Sequence, residues 1–118
     1  MIKDIAFVCC PVTDMKKSRA FYEGLLGLVP SEEFGVNDQW IEYNVGNSTI
    51  TLGCSDQWKP SKDGPSAALE VDDLAALVAK LKDSGVSFKI EIQDFPGCSM
   101  AAAYDPDGNV LAFHHKKS

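Results

Sequence analysis

The chain has 118 residues, a mass of 12.8 kDa, 45% hydrophobic and 24% charged residues, and a net charge of −6 with a pI near 4.7. This is the composition of one ordinary globular domain, large enough to bury a core. No apolar run approaches the ~20 residues of a membrane helix, and the eleven Lys and Arg are scattered, not gathered into the basic face a nucleic-acid backbone requires. Neither a membrane nor a nucleic acid is an expected partner.

Residues 5–12 are a short apolar run that predicts a buried strand, closed by Pro11, Thr13 and Asp14. Asp14 or Thr13 caps a helix running to about Leu26, with Phe21 and Leu25, and Tyr22 and Leu26, in i, i+4 pairs and Gly27 as its stop. Residues 29–34, 40–45 and 49–54 read as three strands, broken by turn-forming residues at 35–38 and at Gly46-Asn47. Residues 55–65 form the longest loop. A strand at 67–71 opens the second half, and Asp72 and Asp73 cap a helix to about Ser84. That helix carries Leu74, Leu77, Val78 and Leu81 at i, i+3, i+4 and i+7, the clearest periodicity in the chain, and Gly85 ends it. Strands follow at 86–92, 98–104 and 110–115, the last two separated by Asp105-Pro106-Asp107-Gly108-Asn109. The start, with an acid directly after its only base and no small-residue cleavage site, does not read as a secretory signal.

The two halves repeat. Val12-Thr13-Asp14-Met15 matches Val71-Asp72-Asp73-Leu74 at an offset of 59 residues, half the chain. Each half is strand, helix and three strands, module one covering about residues 1–56 and module two about 65–118. A four-stranded sheet with a helix on one face leaves its other face bare, so the expected architecture is α+β: two βαβββ modules forming a curved mixed sheet with an open cleft. Such a cleft suits a small ligand. The cysteines Cys9, Cys10, Cys54 and Cys98 lack zinc-site spacing and are expected as reduced thiols in a cytoplasmic protein, with a reactive thiol at Cys9 as the alternative.

Val12-Thr13-Asp14-Met15-Lys16-Lys17-Ser18, followed by Phe21-Tyr22 and Leu26-Gly27-Leu28, resembles the opening of the vicinal-oxygen-chelate superfamily, which includes glyoxalase I, the bleomycin-resistance proteins and the extradiol dioxygenases. Glu70-Val71-Asp72-Asp73-Leu74 is similar to the start of its second module, and Asp105-Pro106-Asp107-Gly108-Asn109 to the turn before its last strand. The resemblance implies the glyoxalase/bleomycin resistance fold, a homodimer and often a divalent metal held by His or Glu on the first, fourth, fifth and eighth strands. By register those positions here are Phe7, Thr51, Ser66 and Ala112. None is a usual ligand for a hard or borderline divalent ion. No metal and no cofactor is therefore expected, and the chain resembles the metal-free bleomycin-resistance branch.

Strand alternation sets Phe7, Cys9, Trp40, Glu42, Thr51, Ser66, Glu70, Ala112 and His114 towards the cleft, as its ligand-binding residues, and Ala6, Val8 and Cys10 beneath the helices. Trp40 either stacks on a planar ligand or packs at the sheet end. Glu42 and Glu70 are solvated carboxylates or else contacts for a cationic group, or bases. His114 is an exposed histidine or a catalytic one, and Trp58 a lid or a dimer contact. The expected function is metal-independent binding of a hydrophobic or aromatic small molecule by a homodimer. The alternative is a superfamily enzyme, a glyoxalase-like lyase or isomerase or a dioxygenase, working through Glu42, Glu70 or His114.

Overall fold

The computed structural model describes residues 1–34 and 39–117, with the side chains of residues 32–34 outside the description. The turn expected at 35–38 thus lies outside the described residues. The chain divides into two units, Met1–Pro60 and Ser61–Ser118, and each builds a four-stranded mixed sheet with one helical segment.

In the first unit the strands are β1 (Val8–Pro11), β2 (Pro30–Phe34), β3 (Trp40–Val45) and β4 (Ser48–Gly53), in the spatial order β1-β4-β3-β2. β1 runs parallel to β4, and the other pairings are antiparallel. The expected strand from residue 5 is shorter than its apolar run. The parallel register sets Val8 beside Ile50, so Ile5 would fall opposite the Gly46-Asn47 turn, where no strand remains to pair with it. Val8, expected beneath the helix, is correspondingly 38% exposed at this frayed edge.

Helix α1 (Met15–Arg19) is capped by Asp14, whose carboxylate accepts the Lys17 N–H at 3.1 Å. It continues as a π-helical stretch over Ala20–Leu25, a wider winding than the i, i+4 pattern predicts. Within it Phe21 and Tyr22, consecutive in sequence, are both buried, with their rings edge to face at 5.1 Å. Leu25 and Leu26 are only half-buried. Tyr22 stacks on Tyr43 of β3 at 6.3 Å, and Glu23 accepts both Arg19 Nε–H at 2.6 Å and the Tyr43 hydroxyl at 2.8 Å. The helical segment therefore covers the sheet face that holds Ile41, Tyr43, Ile50 and Leu52, all buried.

The second unit repeats this plan with β5 (Ala68–Glu70), α2 (Leu74–Asp83), β6 (Phe88–Asp94), β7 (Cys98–Tyr104) and β8 (Val110–Lys116), in the order β5-β8-β7-β6. Asp73 caps α2 by accepting the Ala76 N–H at 3.0 Å, the same bond as in the first half. Gly85, at φ 82°, closes it, with the Val86 N–H on the Leu81 carbonyl and its own N–H on Lys82. Leu74, Val78 and Leu81 are buried; Leu77, expected in the same stripe, is only half-buried. The helix lies on the face of Leu69, Phe113, Ala101 and Ala103, where its Lys82 ammonium sits 5.5 Å from the Phe88 ring. β5 is shorter than expected, and Ser66 precedes it in exposed, irregular chain.

The Asp105–Asn109 turn is structural. Asp105 is buried and accepts the backbone N–H groups of Asp107 and Asn109 and the Asn109 side-chain amide, each at 2.9 Å. Gly108 supplies the φ of 88° that the turn needs.

Candidate functional site

The face of the first sheet away from its helix is built by register. β1, β4 and β3 set Cys9, Thr51 and Glu42 side by side in one row. Two residues along, Trp40 lies beside Gly53. A Cβ added at Gly53 would lie 3.2 Å from Cys9 Sγ and 3.3 Å from the Trp40 ring, so the indole rests directly on the backbone of β4. Its Nε1–H donates to Glu42 Oε2 at 2.8 Å, which fixes the ring. Phe7 meets Trp40 edge to face at 5.3 Å, and Trp58 meets it at a tilt at 6.1 Å. Three aromatic side chains thus converge here from β3, from the chain before β1 and from the loop after β4. Phe7 is 43% and Trp58 48% exposed.

Thr51 sits at the centre of this face and is fully buried. Its hydroxyl has no hydrogen-bond partner, unlike the other buried side-chain polar atoms among the described residues. Leaving a hydroxyl unpaired costs about 1–3 kcal/mol, so this is a position where packing has overridden polarity.

In the second sheet, the face away from α2 carries Ala68 and Ala112 in one row and Glu70, His114 and Met100 in the next. Ala112 is 8% exposed and offers only a methyl group. His114 Nδ1 is 2.6 Å from Glu70 Oε1, and Glu70 Oε2 accepts the Lys116 N–H at 2.7 Å. These bonds hold the Glu70 carboxyl below the usual carboxylate range, the imidazole contributing most and the Lys116 N–H next. His115 turns to the other face and bonds the Val71 carbonyl at 2.8 Å.

The residues at the superfamily's metal positions do not fit a divalent ion. Phe7 and Ala112 have no donor atom, Ser66 is an exposed hydroxyl outside any strand, and the Thr51 hydroxyl is enclosed by packing. Among the described residues no three His, Cys, Asp or Glu converge. Such ions are held by several carboxylates, imidazoles or thiolates.

The sequence pattern missed a cavity of about 240 Å³ in the first unit, lined by Thr13, Gln39, Cys54, Asp56 and Trp58 among others. Thr13 and Gln39 flank strands and Asp56 lies in the loop, where side-chain direction has no periodicity to reveal it. Trp58 was the one signal, as a large aromatic in a polar loop.

Paired βαβββ units, each with its helix on one sheet face, define the glyoxalase/bleomycin resistance class of α+β fold. The chain belongs to the Glyoxalase/Bleomycin resistance protein/Dioxygenase superfamily, whose profile matches residues 4–113. Solved structures agree over nearly the whole length. A glyoxalase/dioxygenase from Nostoc punctiforme superposes with a TM-score of 0.81 at 16% identity, over 98% of this chain and 92% of the other. TnmS3, an antibiotic binding protein from Streptomyces sp. CB03234, gives a TM-score of 0.77 at 25% identity over 98% of both chains. The fosfomycin resistance protein FosX from Listeria monocytogenes gives 0.76 at 16% identity, over 99% of this chain and 96% of the other. None of the curated proteins matches the chain by sequence.

Proposed function

We propose that this protein binds a planar, apolar or aromatic small molecule without a metal, sequestering it as a homodimer in the cytoplasm. The observation that carries the reading is the Phe7–Trp40–Trp58 array, two of whose three rings are more than two-fifths exposed. Rings held in place by a hydrogen bond and by backbone contact offer a large apolar surface at little entropic cost, which suits stacking on a flat ligand. The likeness to an antibiotic binding protein at 25% identity supports the same reading, as does the poor fit of the superfamily's metal positions. The absence of a disulfide among the four cysteines accords with a reducing compartment.

The test is a thermal-shift and tryptophan-fluorescence titration with doxorubicin as a planar polycyclic probe and fosfomycin as a ringless control. Doxorubicin is expected to quench the indoles and raise Tm, with about 2.7 kcal/mol of added stability at a concentration 100 times Kd. Trp40→Ala should abolish both effects. Equal responses to the two compounds, or no change on Trp40→Ala, would refute a stacking site.

The second reading, an enzyme with non-standard residues, draws on one observation, the Glu70–His114 pair. A carboxylate-oriented imidazole is a competent general base. Turnover of a hemithioacetal by metal-stripped protein, lost in His114→Ala, would establish it over simple binding.

A further inference from the structure

The loop after β4 begins in a fixed turn. Pairing continues a residue beyond the strands, with the Val12 N–H on the Gly53 carbonyl at 2.9 Å and the Cys54 N–H on the Gln39 carbonyl at 3.0 Å. Ser55 then reverses the chain. Its hydroxyl accepts the Gln57 N–H at 3.2 Å and its carbonyl the Trp58 N–H at 3.3 Å, and Ser55 and Trp58 form an isolated antiparallel bridge. The turn sets Asp56, Trp58 and Lys59 around the cavity of about 240 Å³, together with the buried Val12 just past β1.

That lining joins opposite charges around one small space. Asp56 and Lys59 are both exposed, and neither belongs to an ion pair among the described residues. A molecule with a single charge would satisfy one of them and meet its own sign at the other. A molecule with both charges answers each. Thr13 and Gln39 add hydrogen-bonding groups to the wall. The volume lies below the roughly 300–1,000 Å³ of drug-sized pockets, so it suits the head of a ligand and not the whole of a large one. The remainder has a place beside it, because Trp58 lines the cavity and also meets Trp40 at 6.1 Å. Its indole is a wall common to the charged cavity and the aromatic array.

We propose that this cavity holds the zwitterionic head of an aromatic ligand, with Asp56 accepting from its ammonium, Lys59 donating to its carboxylate and the ring stacked on the Phe7–Trp40–Trp58 array. The ligand class is an aromatic frame ending in an α-amino acid group. The inference rests on the stacking reading above and adds to it what the head must carry. An ammonium placed over the face of Trp58 gains a further attraction from the ring. Hydrogen bonds to charged groups are the stronger kind, and exposure of both partners keeps each contribution at the lower end of their range, about 10-fold in affinity.

The experiment is an amide NMR titration of the full chain with L-tryptophan, tryptamine, indole-3-propionate and indole, which share a ring and differ in the head. L-Tryptophan should bind about 10-fold more tightly than tryptamine or indole-3-propionate, and indole most weakly. The shifts should centre on residues 54–59, which line the cavity. Asp56→Asn should weaken L-tryptophan and tryptamine and spare indole-3-propionate. Lys59→Gln should weaken L-tryptophan and indole-3-propionate and spare tryptamine. Both residues are exposed loop positions, and the spectra report directly that each variant is folded. Equal affinity for L-tryptophan and indole would overturn the charged head, as would L-tryptophan binding unchanged in both variants. Doxorubicin, which has no carboxylate, is the control for stacking. Its binding without any response to L-tryptophan would overturn the head alone, and failure of both compounds would overturn the head and the stacking site together.

Discussion

Thr51 joins two properties that arise at different levels of structure, its strand face and its burial. Strand alternation puts it on the face shared with Cys9 and Glu42, and the ladder agrees. Its complete burial follows from the packing around it, which no local pattern encodes. Because the buried hydroxyl is unpartnered, Thr51→Val should stabilise the fold by about 1 kcal/mol, read as a higher urea midpoint at unchanged m-value. A loss of stability would mean that the hydroxyl has a partner. Glu70 carries a second residue-scale prediction. Its folded carboxyl titrates below the ordinary value of 4.5, held down by His114 and the Lys116 N–H. A depressed carboxylate adds stability above the unfolded-state pKa and loses it as pH falls through the lower folded value. The gap in Tm between wild type and Glu70→Gln should thus close as pH drops below 4.5. A gap that widens below pH 4.5 would contradict the pairing.

Among the elements, the two helices divide sharply in how well their sequences announce them. α2 has a cap, a period and a Gly stop that agree, and its bounds fall within a residue of the pattern. The stripe is narrower than the four apolar positions imply, since Leu77 lies at its margin. Leu81→Ala should cost about 2–5 kcal/mol, as a fully buried leucine does, and Leu77→Ala clearly less, measured by denaturant unfolding. Equal losses would place the helix rotated about its axis from the observed packing. The helical segment of the first half has the same capping aspartate, yet its second part winds as a π-helix. Burial of the adjacent Phe21 and Tyr22, with Tyr43 holding both Tyr22 and Glu23, accounts for the departure. Those partners come from a strand some twenty residues later, so helical periodicity alone has no access to them.

For the whole molecule, the proposed dimer rests on apolar surface at one edge. Ile2, Ile5, Phe7 and Val8 are 97%, 78%, 43% and 38% exposed, and β1, which they enter, is an edge strand. Exposed apolar chain beside an unpaired strand edge favours covering by a second copy. Light scattering at micromolar concentration should return twice 12.8 kDa, and Ile5→Lys should shift the population towards monomer. A clean wild-type monomer would refute the dimer.

The repeat, the two caps, the succession of strands and helices along the chain and the α+β class were all legible in the sequence. Caps and periods depend on residues within a turn or two of one another, and the two halves carry the same local pattern. The faces of most strands were legible too, since alternation is a property of the extended backbone itself. Only the tertiary structure decided where pairing stops, as at Ile5 and Ser66, because a strand exists only opposite another strand. It also decided what meets on a face. Trp40 reaches its aromatic neighbours, and Glu70 its imidazole 44 residues away, through sheet register and loop path. Both are set by contacts distant in sequence, which composition and local periodicity do not contain.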